Sequence, residues 1–232
     1  MNLSNLLFGI YPYIALTTFF VGSLIRFDRE QYTWKADSSQ IFEKEQLQKG
    51  SILFHIGVLA LFMGHFAGLV TPHSWFLDMG VSDMMHQVVA ISAGAAFGSL
   101  CMMGGVILWK RRMFHPRVRA NSRFMDLFIL NWILVTLGVG LLTIPVSIYH
   151  AFSGDTSSMI ALAEWAQATL SLNADAAILT EVGFIYKLHL FLGMSVFFLF
   201  PFSRLVHVWS MPLGYMFRPY QIVRTKFVKN KN

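Results

Sequence analysis

The chain has 232 residues, of which 55% are hydrophobic and 13% charged, with a mean hydropathy of +0.54 and a net charge of +6. Soluble domains carry about 25% charged residues, so too few polar side chains are present to clothe a water-soluble globule. This composition excludes a soluble enzyme and a disordered chain. The lone Cys101 excludes both a disulfide-stapled module and an iron–sulfur cluster, which takes about four thiolates.

Five apolar blocks follow one another at 6–25, 52–71, 86–109, 125–148 and 183–206. Each holds the roughly 20 residues a helix needs to cross about 30 Å of hydrocarbon. The sequence predicts an all-α integral membrane protein with five transmembrane helices, forming a single domain over 1–232. The first block has no basic run before it and no small-residue cleavage site after it, and reads as a retained helix rather than a signal peptide. The segment 26–50 then carries Arg26, Arg29, Lys35, Lys44 and Lys49. The second block holds His55 and His65 together with the ladder Ala60, Gly64, Gly68. The third opens at His86 and carries a matching ladder, Ala90, Gly94, Gly98. Six basic residues follow: Lys110, Arg111, Arg112, Arg117, Arg119 and Arg123.

Beyond the fourth block, 149–182 has no Lys or Arg but contains Asp155, Glu164, Asp175 and Glu181. Within it, 158–170 reads as a short amphipathic helix, lying on the outer membrane surface or packed as a loop helix. The fifth block carries Lys187 and His189 near its start and His207 at its end. Arg204, Arg218, Arg224, Lys226, Lys229 and Lys231 follow to the C-terminus. Basic residues gather on the cytoplasmic side of membrane proteins. The N-terminus is therefore expected in the periplasm and the C-terminus in the cytoplasm, and topology, not nucleic acid, accounts for the positive charge.

Ionisable groups at membrane depth are costly and usually functional. The second and fifth helices run antiparallel, so their histidines fall at two levels: His65 with His189 toward the outside, and His55 with His207 toward the cytoplasm. Two imidazoles facing each other at each level is what bis-histidine haem ligation requires. The spacings do not match for straight helices. His189 and His207 are 18 residues apart, about 27 Å of α-helical rise, whereas His55 and His65 are 10 apart, about 15 Å. Helix crossing or a bend at Pro201 would have to absorb the difference. The small-residue ladders serve either close helix packing or room for a flat macrocycle beside its ligand. Zinc would need its ligands converging on one ion, and these are split between two depths.

The motifs IYPYIA (10–15), QYTWKADSSQ (31–40), LFHIGVLALFMGHFAG (53–68), TPH (71–73), KRRMFHPRVRA (110–120), LLTIP (141–145), FIYKLHLFLGM (184–194) and FPFSRLVHVWS (200–210) resemble the gamma subunit of membrane-bound respiratory nitrate reductases, a di-haem cytochrome b. The resemblance implies two haems b, the inner one on His55 and His207 and the outer one on His65 and His189. It also implies an iron–sulfur beta subunit and a molybdenum-cofactor alpha subunit on the cytoplasmic side, a location in the bacterial inner membrane, and electrons supplied by membrane quinol. Nitrate reduction itself would then occur on a partner. Segments 74–85 and 151–182 depart most from the family pattern.

Several further residues become candidates under this reading. Arg111, Arg112 and Arg204 at the cytoplasmic boundary, and Lys187 at the outer one, are candidates for haem propionates, or for headgroup contact and snorkelling. His86, which ordinarily would titrate near neutral pH, is the first candidate for accepting a quinol proton, with Gly64, His65 and Gly68 making room for the ring. His73, His115 and His150 receive no ligand role. Tyr32, Trp34 and the tail 208–232 would dock the iron–sulfur subunit. The competing readings are a cytochrome b anchor of a hydrogenase or heterodisulfide-reductase-like complex, and a haem-free anchor or small transporter.

Overall fold

The computed structural model describes residues 2–30 and 42–210. Tyr32, Trp34 and all of the basic tail beyond Ser210 lie outside the described residues. Five helices are long and apolar enough to cross a membrane, and no strand occurs among the described residues. They are α1 (Asn5–Arg29), α2 (Lys44–Val70), α4 (Asp83–Phe114), α6 (Phe124–Phe152) and a fifth span over Phe184–Phe202, whose α-helical part is α8 (Phe184–Leu199). Short helices α3 (His73–Asp78), α5 (Pro116–Ala120) and α7 (Ser157–Leu170) join them.

The spans begin and end beyond the apolar blocks because polar residues continue the same helices. The second starts eight residues before Ile52, at Lys44, and the third runs on through Lys110, Arg111 and Arg112 to Phe114. Pro116 then enters α5 at its first turn, where a missing N–H costs nothing. The Ser82 hydroxyl caps α4 by accepting from the Met85 N–H at 3.2 Å. At the start of α6 the Asp126 carboxylate accepts the Arg123 N–H at 3.3 Å. Helix α1 includes two π-helical stretches, Asn5–Ile10 and Thr18–Gly22. Pro12 cannot donate to the Phe8 carbonyl, and the Trp165 indole N–H donates to that carbonyl instead, at 2.9 Å. This bond fastens α7 to α1. Trp165 is 2% exposed and sits with Phe8, Leu179 and Val182 in one core cluster, so α7 is a packed helix.

The helices pack in the order α2, α4, α6, α8, α1, each chiefly on its neighbours in that series. The closest approach, α2 to α4, uses glycines. A Cβ on Gly57 would lie 2.6 Å from Cys101 Cβ, and one on Gly104 would collide with the Phe54 backbone. Gly94 and Gly98 instead face α6, where added Cβ atoms would meet Ile144 at 3.4 Å and Leu141 at 2.8 Å. Gly64 has nothing within 4 Å of its Cβ position. The two ladders therefore differ in use: the one on α4 packs, and Gly64 borders open space.

The fifth span corrects one expectation. It is not a continuous α-helix from residue 183 to 206, and His207 does not lie on it. The α-helix ends at Leu199, a 3₁₀ turn covers Phe200–Phe202, Ser203 is extended, and a second 3₁₀ segment runs Arg204–Ser210. Pro201 supplies the reason, since it has no N–H to continue the helix. The carbonyls released by the break are not left bare. Arg26 Nη1 donates to Pro201 O at 2.6 Å and to Ser203 O at 2.8 Å. Gly22 lets α1 close on the break, because a Cβ there would stand 2.9 Å from Pro201 Cγ.

Candidate functional site

Helix α2 packs on α4, and α8 on α6 and α1; α2 and α8 themselves are not closely packed. Across that gap their histidines face each other in two pairs. The rings of His65 and His189 are 6.1 Å apart centre to centre, at 48°, and those of His55 and His207 are 6.3 Å apart, at 71°. A metal–imidazole bond of about 2 Å, with roughly 1 Å more from nitrogen to ring centre, places two rings sharing one metal about 6 Å apart. Both pairs have that separation.

The break after Leu199 explains how both pairs form. From His189 to Leu199 is ten residues, as from His55 to His65, so α8 ends after about 15 Å, level with His55. The 3₁₀ segment then brings His207 in at that level. The unequal spacing in the sequence is thus absorbed by ending the helix, not by bending it.

Each ring is held by one nitrogen. His65 Nδ1 lies 2.8 Å from Leu61 O, His55 Nδ1 2.7 Å from Ser51 O, His207 Nδ1 2.7 Å from Arg204 O, and His189 Nδ1 3.1 Å from Thr136 O. A carbonyl can only accept, so each Nδ1 donates and each Nε2 keeps its lone pair. Metal-ligating histidines are oriented in just this way by carbonyls behind them. The two α2 rings are held within their own helix, whereas His189 is held from α6. Gly140, also on α6, lies directly beneath it: a Cβ there would be 2.7 Å from His189 Cε1. Among the described residues no three His, Cys, Asp or Glu side chains converge as a metal cluster. The histidines come in twos, with space between helices, and this fits haem.

The basic residues at the His55–His207 end are already engaged with protein groups. Arg111, 1% exposed, donates to Phe42 O at 2.5 Å and Glu43 O at 3.3 Å. Glu43 adopts φ +46°, a left-handed conformation uncommon for its residue type, and Arg111 grips its carbonyl. Arg112 and Arg204 both face Asp126, at 3.4 and 3.9 Å. At the His65–His189 end Lys187 Nζ donates to Thr180 O at 3.1 Å.

A shallow cleft opens beside the His65–His189 pair. One wall is Gly68 and Thr71 of α2, His73 and Phe76 of α3, and His86 of α4. Helix α7 forms the other with Met159, Ile160, Ala163, Glu164 and Gln167. The His86 ring stacks on Phe76 at 4.2 Å, with its Nε2 3.5 Å from the Gly68 Cβ position. Gly68 is three residues beyond His65, about 4.5 Å along the helix. Gln167 Nε2 donates to Leu69 O at 3.3 Å and Thr71 O at 3.0 Å, holding α7 over the end of α2. Of the four quinol candidates, the structure brings Gly68 and His86 into the cleft, with Gly64 and His65 further down the same helix.

Sequence reasoning missed Thr136, Gly140, Arg26 and Asp126. Only Asp126 left a signal, as an acid at the head of an apolar span. The other three act through geometry that their residue types do not announce.

Comparison with known proteins adds the family. The model for the nitrate reductase gamma subunit matches residues 4–226. The chain is 47% identical to the respiratory nitrate reductase 1 gamma chain of Escherichia coli (strain K12), over 97% of this chain and 98% of that one. It is 44% identical to the respiratory nitrate reductase 2 gamma chain of the same organism, over 94% and 96%. The nitrate reductase gamma chain of Bacillus subtilis (strain 168) is 35% identical, over 96% and 98%.

Proposed function

Because the chain belongs to the nitrate reductase gamma subunit family, we propose that it is the quinol-oxidising di-haem subunit of a respiratory nitrate reductase. It is a multi-pass inner-membrane protein. In the proposed orientation the N-terminus is periplasmic and the C-terminus cytoplasmic, where an iron–sulfur beta subunit and a molybdenum-cofactor alpha subunit would dock. The observation that carries the proposal is the pair of bis-histidine gaps, 6.1 and 6.3 Å between ring centres, with every Nδ1 engaged by a carbonyl.

His65 and His189 would hold the outer haem b, and His55 and His207 the inner one. Held by these two pairs of imidazoles, haem would supply one-electron carriage across the membrane. The chain's own residues do the rest. The four carbonyls fix the imidazole tautomers, and Gly140 admits the His189 ring. Arg111, Arg112 and Arg204 at the inner end, and Lys187 at the outer, are proposed partners for propionates; Arg204, with 27% of its side chain exposed, is more accessible than Arg112 at 10%.

Quinol is proposed to enter the cleft between α7 and His86. Its hydroxyl proton would pass to the His86 Nε2, which meets no protein donor or acceptor among the described residues. Gly68 keeps that edge of the ring accessible. His86→Leu tests the site: haem content should be unchanged, reduction by menadiol should slow about tenfold, and a hydroxyquinoline N-oxide quinol analogue should bind more weakly. Wild-type reduction rate with unchanged analogue affinity would place quinol elsewhere.

A further inference from the structure

Oxidising a quinol to a quinone breaks two O–H bonds. Two protons leave; of the four electrons left on the oxygens, two pass to the electron acceptor, and the other two, with one π pair of the ring, form the two C=O π bonds. With the haem held by His65 and His189 as electron acceptor, in two one-electron steps, the protons still need two destinations. His86 is one. The hydroxyls sit at opposite ends of the ring, so the second acceptor belongs on another wall.

The cleft contains few titratable groups. Helix α2 contributes none, α3 contributes His73, α4 contributes His86, and α7 contributes Glu164. His73 is already committed, since its Nε2 lies 3.4 Å from the Asp83 carboxylate at the head of α4. Glu164 differs. It lines the cleft from the side opposite His86, is otherwise exposed, and makes no ion pair or hydrogen bond among the described residues. The helix that carries it is not a loose flap. Trp165, the next residue, is buried and bonded to Phe8 O, and Gln167 is bonded to the end of α2. Glu164 therefore stands on a fixed helix, lines the cleft and is exposed to solvent.

We propose that Glu164 is the second proton acceptor of this cleft, taking the proton of one quinol hydroxyl on a carboxylate oxygen and releasing it to the outer aqueous phase while His86 takes the other. The proposal rests on the quinol reading of the cleft. It gives α7 a chemical role besides its structural one, and explains why a carboxylate stands unpaired beside an otherwise mostly apolar wall.

The experiment uses the assembled complex in membranes, with menadiol as reductant. Glu164→Gln keeps the shape and removes the ability to accept a proton. It should leave haem absorbance and binding of the hydroxyquinoline N-oxide within about twofold of wild type, yet slow haem reduction about tenfold or more. Added formate or imidazole buffer should restore the rate in Glu164→Gln and leave wild type unchanged, a rescue that a packing role would not give. Glu164→Asp should retain most of the rate. A wild-type rate in Glu164→Gln while His86→Leu is slow overturns the proposal and leaves the quinol site standing. A slow rate that no buffer rescues overturns it too, making Glu164 a packing residue. Wild-type rates and affinities in both variants overturn the site and the proposal together.

Discussion

In the proposed function four imidazoles would carry the electrons' cofactors, and each depends on atoms that are not histidine. The carbonyls of Leu61, Ser51, Arg204 and Thr136 set which nitrogen holds the proton, and with it which nitrogen is free to ligate. At His189 the space is set as well, by Gly140. Gly140→Ala would put a methyl 2.7 Å from His189 Cε1, closer than side chains approach, so the ring must shift. The expected result is loss or displacement of the outer low-spin haem signal, with the inner one intact. Overpacking of this kind costs about 1–3 kcal/mol, so the protein should still assemble. An unaltered outer signal would show that the His189 ring is not seated on Gly140. The histidines themselves were legible in the sequence, because charge-capable residues stand out in apolar helices. Gly140 and Thr136 were not: a glycine and a threonine in an apolar span look the same whether they face lipid, a helix or a ligand.

At the scale of elements, the fifth span shows where sequence pattern stops informing. An apolar run from 183 to 206 has the length and composition of one helix, and hydropathy does not distinguish α from 3₁₀ turns. Pro201 marks a perturbation, but whether a helix bends or ends there depends on what receives the released carbonyls. Here Arg26 receives them, from a helix distant in sequence. The other four spans were legible in number and position, and their ends extended because amphipathic termini continue the helix past the hydrocarbon. A second device fixes the break to α6. Asp126 lies between Arg112 and Arg204, with all three side chains largely withdrawn from water. Asp126→Asn would leave two guanidiniums facing each other without their counter-charge. Removing one partner from a buried ion pair costs on the order of 3 kcal/mol. Arg204 is also the residue whose carbonyl orients His207. The variant should therefore melt at lower temperature in detergent and perturb the inner haem signal before the outer. Unchanged melting would mean that solvent or lipid already screens the cluster.

For the whole molecule, the proposed orientation rests on charge. Of the 18 Lys and Arg residues, only Lys187 falls outside the segments assigned to the cytoplasm. Reporter fusions after residue 40 and after residue 165 should report opposite compartments, cytoplasm and periplasm respectively; the same compartment for both would break the five-span topology. Helices α2 and α8 are not closely packed on each other, and across that gap four side chains form two histidine pairs.

The central claim is that these four histidines form two independent pairs, His65 with His189 and His55 with His207. It is tested most directly by low-temperature spectra of the assembled complex carrying each histidine singly replaced by alanine. His65→Ala and His189→Ala should remove the same low-spin haem b signal, and His55→Ala and His207→Ala should remove the other. Loss of one and the same component in His55→Ala and His65→Ala would contradict the two-level arrangement.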